Sequence, residues 1–204
     1  MHRLHNVNIT GEHLVWNDRE NIYYIGPDSI FRDSYIDIAV SARGLILVRT
    51  RFINCTIRIR RQLTDFPLHS AYFENCHLKG CFSGCDFGRN EAYANLSSYY
   101  PEAGIVNTDL SAAKLYGCRF INCDLSTLKL PRWPCFFLCD VDAVREQART
   151  LPWPGLTYTI LGDPGSDPPG TVAIAWDARK LSKQDRVPEA ALKAVVEQIP
   201  GVIM

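Results

Sequence analysis

A stretch of eight residues recurs along this chain of 204 residues, and the repetition constrains the fold more than any other feature of the sequence. Its clearest copy runs from Cys118 to Leu125, and further copies, in order of decreasing similarity, span residues 50–57, 71–78, 29–36 and 7–14. The first large apolar residues of the early copies are separated by steps of 22, 21 and 21 residues: Ile9, Phe31, Phe52 and Phe73. A nearly constant step indicates one structural unit per repeat. The next step, to Phe120, is 47 residues, which predicts a degenerate copy at 94–96.

A shorter rhythm of five residues runs through the last copies. Large apolar residues fall at Ile105, Leu110, Leu115, Phe120, Leu125 and Leu130. The residue two places earlier is small in five of the six cases: Ala103, Thr108, Ala113, Cys118 and Cys123. Neither a helix nor a strand has a period of five. A chain that turns a corner every five residues has that period, and four such sides make coils of about 20 residues that stack at roughly 4.8 Å.

Alternate residues of an extended segment share a face, so the large residue and the small one before it are predicted to point inward. The predicted core includes Phe31, Phe52, Phe73, Leu110, Leu115, Phe120 and Leu125. Phe52, Phe73 and Phe120 are expected to stack in one column. Polar positions such as Arg119, Asn122 and Asp124 are predicted to face water or the corners of the coil.

These features resemble the pentapeptide-repeat family, whose motif is a small residue, Asn or Asp, Leu or Phe, and two variable positions. The closest matches to it are residues 94–98, 108–112 and 123–127. The resemblance covers residues 5 to 130, most strictly from 103 onward, and implies a right-handed quadrilateral β-helix. Residues 15–28, 58–70 and 88–102 depart from the motif, so irregular sides or protruding loops are expected there.

The cysteines allow two interpretations. Cys55, Cys76, Cys118 and Cys123 occupy the small inward position, which favours free packing thiols in a reducing compartment. Cys81 with Cys85, and Cys135 with Cys139, have a spacing that zinc sites tolerate. Cys85 also lies two places before Phe87, so packing explains that pair equally well. No cofactor or metal is therefore expected.

The repeat stops at Leu130, which predicts a β-helix over residues 1–130 and a small α+β cap over 131–204. In the cap, Asp140 or Asp142 can begin a helix that extends to Arg149. Residues 156–161 and 171–176 are predicted to be the strands of a hairpin. A last helix is expected near 188–199, with an apolar stripe at Leu192, Val195, Val196 and Ile199.

Two groups of side chains are candidates for binding a partner. Tyr93, Tyr99 and Tyr100 lie in segment 88–102, which interrupts the repeat, and tyrosine suits protein interfaces. Arg58, Arg60 and Arg61 end the basic segment 41–61, which contains no acidic residue. The alternatives are that the tyrosine rings lie on the outer wall, and that the arginines belong to a solvated strand face.

The sequence contains no phosphate-binding loop, nucleophile elbow or His-Glu-x-x-His pair. His13 and His77 occupy equivalent outward positions of the repeat. There is no apolar run long enough for a membrane span, and the chain begins in a repeat, so a cytoplasmic location without membrane contact is predicted.

Charge narrows the possible partners. Residues 1–130 carry 14 Lys plus Arg against 13 Asp plus Glu, and the tail carries 8 against 9. This balance argues against nucleic-acid binding, which needs an excess of positive charge. It also argues against the DNA mimicry known from topoisomerase-binding pentapeptide proteins, which needs a dense negative surface. The leading hypothesis is a non-enzymatic bacterial immunity or antitoxin-type protein that binds and occludes a toxin. The alternatives are a topoisomerase-binding DNA mimic and a β-helix carbohydrate-active enzyme.

Overall fold

A computed structural model describes residues 1–96 and 99–204, which form parallel stacked coils followed by a region with short helices. The strands of the coils are β1 (His2–Leu4), β2 (Asn8–Thr10), β3 (His13–Trp16), β4 (Tyr23–Ile25), β5 (Ser29–Arg32), β6 (Tyr35–Ile38), β7 (Leu45–Leu47), β8 (Thr50–Ile53), β9 (Thr56–Ile59), β10 (Leu63–Thr64), β11 (Ala71–Glu74), β12 (His77–Ser83), β13 (Asp86–Gly88), β14 (Gly104–Val106), β15 (Ala113–Tyr116) and β16 (Cys118–Ile121). The later elements are β17 (Cys135–Cys139), α1 (Val141–Arg149), β18 (Thr171–Asp177), α2 (Ala178–Asp185) and α3 (Glu189–Val196).

Within the described residues, the strands stack on four faces, and each strand pairs in parallel with its equivalent in the neighbouring coil. The first face begins with β1, β4 and β7; the second contains β2, β5, β8, β11 and β14; the third contains β3, β6, β9 and the start of β12; and the fourth contains β10, the end of β12 and β15. The first face continues through the 3-10 turn Leu68–Ser70, where the Ser70 hydroxyl donates to the Leu47 carbonyl, to β13 and β16. The fold is therefore a β-solenoid, as the five-residue rhythm predicted.

The corners of the coil explain why Asn and Asp recur beside the small residues. Asp33, Asn54 and Asn75 have φ angles of 50°, 55° and 53°, in the left-handed region that Asn and Asp tolerate better than most residues. The Asn54 amide donates to Asp33 at 2.9 Å, and the Asn75 amide donates to Asn54 at 3.1 Å. A column of hydrogen-bonded Asp and Asn side chains thus holds successive coils in register at this corner.

The small residue after each corner points inward and donates to a carbonyl of the preceding coil. The Cys55 thiol donates to the Phe31 carbonyl at 3.4 Å, and the Cys76 thiol donates to the Phe52 carbonyl at 3.3 Å. At the preceding corner, the Thr50 hydroxyl donates to the Ile25 carbonyl at 3.1 Å. Ser, Thr and Cys at this position therefore satisfy buried backbone groups as well as filling space.

Stacked phenylalanines fill the interior in two separate columns. Phe52 lies between Phe31 and Phe73, with ring centroids 5.3 Å apart on both sides. Stacked aromatic pairs add about 0.5–1.5 kcal/mol to the benefit of burial. Leu110 and Leu115 are also fully buried, and Leu125 is half-buried against the same core. The side chains that were predicted to align are register partners on neighbouring strands: Ile9, Phe31, Phe52 and Phe73.

Phe120 belongs to the second column, and its predicted place above Phe73 is wrong. It stacks on Phe87 at 5.1 Å, whereas Ile105 is the residue that aligns with Phe73. The predicted copy at 94–96 is also wrong, because Leu96 is 53% exposed and contributes nothing to the core. Ser97 and Ser98, the end of that copy, lie outside the described residues. The described residues of the segment 89–103, which are 89–96 and 99–103, belong to an insertion between the first and second faces. This insertion lengthens the step.

The other two departures from the motif were only partly predicted. Residues 15–28 contain β4, and residues 58–70 contain β10 and the 3-10 turn that continues the first face. These segments keep the coil but change the number of residues at its corners. Regular sides therefore survive where the five-residue rhythm is absent.

The cap extends the sheet of the first face. β18 pairs antiparallel with β16 on one side and with β17 on the other. Alternate residues of β17 point in opposite directions: Phe137 packs into the solenoid core, and Phe136 packs into a second core with the helices. Leu192, Val196 and Ile199 of the predicted stripe join that second core, and Val195 is also buried. The helix ends at Val196, so its predicted extent to residue 199 is too long.

The predicted hairpin is wrong. Thr157–Leu161 is a 3-10 helix, and the partner of β18 is β17, which was not predicted to be a strand. The guanidinium of Arg145 donates to the Leu161 carbonyl at 2.9 Å. A side chain therefore supplies a hydrogen bond that a neighbouring strand would supply in a sheet. α2 was not predicted either, although the Asp177 side chain caps it by accepting from the Lys180 amide.

The helix predicted to begin at Asp140 or Asp142 is present as α1, but its predicted capping is not. Asp140 has a left-handed backbone, and its carboxylate makes no capping hydrogen bond. The Asp140 carbonyl instead accepts from the amides of Ala143 and Val144. Asp142 lies in the first turn, where a carboxylate favours the helix dipole.

Candidate recognition surfaces

The insertion of residues 89–103 is closed at its base and attached to the outer wall. The Arg89 guanidinium donates to the Pro101 carbonyl at 3.4 Å and lies 2.8 Å from the Glu91 carboxylate. At the far end, Glu102 lies 3.4 Å from Arg51 of the second face. The Arg51 guanidinium also lies 5.0 Å from the centre of the Tyr72 ring. The insertion is therefore held to the solenoid by polar contacts at both ends.

The three predicted tyrosines have different environments. Tyr93 is 36% exposed, and its inner ring face stacks on His69 with centroids 4.5 Å apart. Tyr99 is half-buried and donates to Glu91 at 2.8 Å, which raises its pKa. Tyr100 is buried; burial, with the neighbouring Glu102 carboxylate, raises its pKa to about 12. Because only 8% of Tyr100 is exposed, this residue is corrected to one that anchors the insertion.

A polar cluster missed by the sequence analysis lies beneath the insertion on the first face. Arg119 donates to both carboxylate oxygens of buried Asp86, at 2.7 and 3.0 Å. The His69 Nδ1 atom lies 3.9 Å from Asp86, and the Asn90 amide lies 3.5 Å from it. Burial lowers the pKa of His69. Arg119, predicted to face water, is instead the main partner of a buried carboxylate.

This cluster could be found in the sequence only by aligning the coils correctly. Asp86 and Arg119 are register partners on β13 and β16, although 33 positions separate them in the chain. An unusual insertion between those strands hides the relationship. Ion pairing across stacked coils could be recognised only after the correct column was known.

The basic segment 41–61 separates into paired and unpaired arginines. Arg49 lies 3.0 Å from Asp28, and Arg60 donates from Nε to the buried carboxylate of Asp37 at 2.7 Å. The hydrogen bonds from Arg60 lower the pKa of Asp37. Arg58 and Arg61 are exposed, on the third face and at the start of the fourth respectively. Of the three predicted arginines, Arg60 is therefore committed to an internal pair.

The structure does not bring the predicted tyrosines and arginines together. The insertion emerges where the first face meets the second, whereas Arg61 belongs to the fourth face. A partner that contacted both groups would have to cover more than one wall. The two groups are therefore separate candidate surfaces.

The histidines predicted to be equivalent lie on one outward row of the third face. His13 and Tyr35 are register partners, Thr56 pairs with His77, and Tyr35 pairs with Thr56. The His77 Nδ1 atom lies 3.5 Å from Asp109. Burial tends to raise the pKa of Asp109, but hydrogen bonds from Ser111 and Lys129 lower it to about 2. His77 thus belongs to a row of surface contacts.

The cysteines lie at several positions without forming one cluster. Cys55, Cys76, Cys85, Cys118 and Cys135 are buried free thiols. The Cys85 thiol donates to the Leu63 carbonyl at 3.5 Å, and burial raises the pKa of Cys118. Cys81 and Cys139 are half-buried. No group of three or more His, Cys, Asp or Glu side chains converges on a metal position in the described residues.

A cleft of about 380 Å³ lies on the surface where the cap meets the solenoid. Its walls include Asp65 and Arg119 from the coils, and Asp167 and Trp176 from the cap. Asp167 lies 3.0 Å from the buried guanidinium of Arg145, yet burial raises the pKa of this carboxyl. Of the two carboxyl groups in the cleft, Asp65 is exposed and Asp167 is half-buried.

Comparison of the chain with protein-family models, curated proteins and solved structures found no match. By its fold, the protein is a four-faced parallel β-solenoid with an α+β cap. Within residues 1–96 and 99–204, no helix combines the length and apolar character of a membrane span.

Proposed function

We propose that this chain is a non-enzymatic scaffold that binds a specific protein partner, and that the insertion of residues 89–103 is a contact element. One observation carries the proposal. The insertion contributes no strand to the solenoid in its described residues, yet it is attached to the wall at both ends and displays Tyr93 and Leu96. Loops of this length inside a compact domain are more often functional than incidental.

The attachment favours recognition by a surface that is organised before binding. Stacking of Tyr93 on His69 fixes one ring face and leaves the other exposed. Leu96 adds an exposed apolar side chain on the same insertion. An aromatic ring held in place loses little conformational entropy when a partner covers it.

An immunity or antitoxin-type role, in which the solenoid occludes a toxin, is the form of binding that we propose. The pentapeptide-repeat resemblance of residues 103–130 supports this role. The main polar cluster of the first face also supports a binding role over a catalytic one, because Asp86 and Asn90 are buried and the Asp86 carboxylate is already paired with Arg119. The balanced charge disfavours the alternative role as a DNA mimic, which requires a dense negative surface.

The test is native co-purification from the source cells, with the recovered proteins identified by mass spectrometry. The wild-type chain is compared with a Tyr93→Ala/Leu96→Asp variant. A matched control, Tyr158→Ala/Leu156→Asp, changes the same residue types at exposed positions of the cap. Circular dichroism checks that all three chains are folded.

The proposal predicts that one protein is recovered with the wild type and the control but falls about tenfold or more with the insertion variant, as expected when contact residues are lost. Recovery of no specific protein by the wild type would contradict the scaffold function. Equal recovery by all three chains would exclude the insertion as the contact element.

A carbohydrate-active enzyme is a second candidate, favoured by the cleft between cap and solenoid. Asp167, with its raised pKa, has the property of a general acid, and Asp65 lies in the same cleft. The ion pair between Asp167 and Arg145 argues instead for a structural role of Asp167. Turnover of a polysaccharide that is abolished by both Asp65→Asn and Asp167→Asn would favour the enzyme.

A further inference from the structure

A cleft of about 170 Å³ on the fourth face is lined by arginines from three successive coils. Arg19 follows β3, Arg43 follows β6, and Arg61 follows β9, so each coil contributes one of them. Ser41 and Val40 also line the cleft, together with Glu20. We call this site the arginine cleft. It is distinct from the insertion, which emerges between the first and second faces.

The three arginines have no internal partner in the part of the chain that the structure describes. Arg49, Arg51 and Arg60 of the same basic segment each lie beside a carboxylate. For Arg19, Arg43 and Arg61, the contacts of the described residues include neither an ion pair nor a side-chain hydrogen bond, and all three side chains are exposed. Like charges on stacked coils repel one another, so this arrangement does not stabilise the fold.

We propose that the arginine cleft binds an acidic segment of a protein. Guanidinium groups form strong, paired hydrogen bonds with carboxylates, and none of these three makes such a pair with the described residues. Apolar Val40 and Ile22 also line the cleft, where they can contact the methylene groups of glutamate side chains. This proposal does not depend on the insertion being a contact element.

The spacing of the coils suits an extended segment that runs along the solenoid. Coils stack at roughly 4.8 Å, so three arginines span about 10 Å. Alternate side chains of an extended peptide repeat at about 6.6 Å on one face. A span of about 10 Å along the solenoid is therefore long enough for two acidic side chains that are separated by one residue in an extended segment.

Features of the cleft favour a protein ligand over nucleic acid. The lining combines three arginines with one glutamate, so it offers few contacts to the long row of phosphates on which nucleic-acid affinity depends. Proteins that hold single strands use aromatic side chains as stacking platforms. The described lining of this cleft contains no aromatic residue, and the whole chain has a formal net charge of zero.

The experiment measures the fluorescence anisotropy of a short labelled oligoglutamate peptide titrated with the full chain. A length-matched oligoglutamine peptide and a labelled single-stranded DNA serve as comparison probes. The test variant is Arg19→Glu/Arg43→Glu/Arg61→Glu. A control variant, Lys114→Glu/Arg132→Glu/Lys183→Glu, makes the same change in net charge at exposed positions elsewhere.

We expect the oligoglutamate peptide to bind the wild type and the control, to bind about tenfold or more weakly to the test variant, and to weaken as salt is added. Equal loss in both variants would overturn the proposal, because net charge alone would then explain binding. Binding of the oligoglutamine peptide with equal affinity would also overturn it. DNA binding stronger than peptide binding, with the same dependence on the three arginines, would assign the cleft to nucleic acid instead.

Discussion

The solenoid and the cap build their sheets in opposite ways. On the second face of the solenoid, each strand aligns with the equivalent residue of the neighbouring coil, so Phe31, Phe52 and Phe73 stack directly. In the cap, β18 reverses direction and inserts between β16 and β17. One region repeats a local rule, whereas the other makes a single pairing between distant segments.

This difference teaches where stability depends on repetition and where it depends on one junction. Loss of a corner residue in the solenoid affects one position in a column of similar contacts. The junction has no duplicate, because Phe120 lies between Phe87 of the coils and Phe137 of the cap. Changes at the junction should therefore be more damaging than changes at a corner.

The largest effect is expected for Phe120→Asp, which places an unpaired carboxylate in the junction. Removing a buried phenylalanine costs about 3–5 kcal/mol, and burying a charge adds to that loss. We expect the free energy of unfolding to fall by more than about 5 kcal/mol, with solenoid and cap lost together. Chemical denaturation followed by circular dichroism and by tryptophan fluorescence measures both regions.

The control for this prediction is Phe120→Leu, which keeps the site apolar. It should retain the fold with a smaller loss, because only volume and ring stacking change. A Phe120→Asp protein with near wild-type stability would show that the junction is not a shared core.

A smaller but substantial loss is expected for Arg119→Asp, which replaces the partner of buried Asp86 with a second carboxylate. Arg119 is partly exposed, so we expect a loss of about 2–3 kcal/mol rather than that of a fully buried pair. Urea denaturation at neutral pH measures it. Arg132→Asp is the matched control and should leave stability nearly unchanged, because Arg132 is exposed and makes no ion pair or side-chain hydrogen bond with the described residues.

Acid provides a direct check of the same contact. In the Arg119→Asp variant, lowering the pH should recover part of the lost stability, because protonation removes the repulsion between the two carboxyl groups. Equal stability of Arg119→Asp and the control would mean that the pair contributes nothing.

The smallest effect is expected at a corner of the solenoid. Asn54→Ala breaks two side-chain hydrogen bonds and places alanine at a positive φ, which alanine tolerates poorly. We expect the free energy of unfolding to fall by about 1–2 kcal/mol. Asn54→Gly breaks the same hydrogen bonds but adopts this backbone freely, so it should lose less. Thermal unfolding of the two variants separates the backbone contribution from the amide column. If they unfold identically, the positive φ is not what Asn provides here.

The outer surface was the part of the candidate site least accessible from the sequence. The arginine-rich segment 41–61 was evident, but its division into paired and unpaired members depends on Asp28, Asp37 and Glu102 from other coils. Arg19 was not part of the prediction, because it lies far from that segment in the chain and joins Arg43 and Arg61 only through coil stacking. Tyr100 likewise could not be distinguished from Tyr93 until the wall beneath the insertion was known.

The sequence by itself determined the coil, because inward large residues, small residues and left-handed corners are local requirements that recur at short spacing. It also determined most of the core, including Phe31, Phe52, Phe73, Leu110 and Leu115. Only the tertiary structure decided that Phe120 stacks on Phe87, that β18 enters the sheet beside β16, and which charges remain unpaired. These outcomes depend on which distant segments meet, and an insertion can shift that alignment without changing the local pattern.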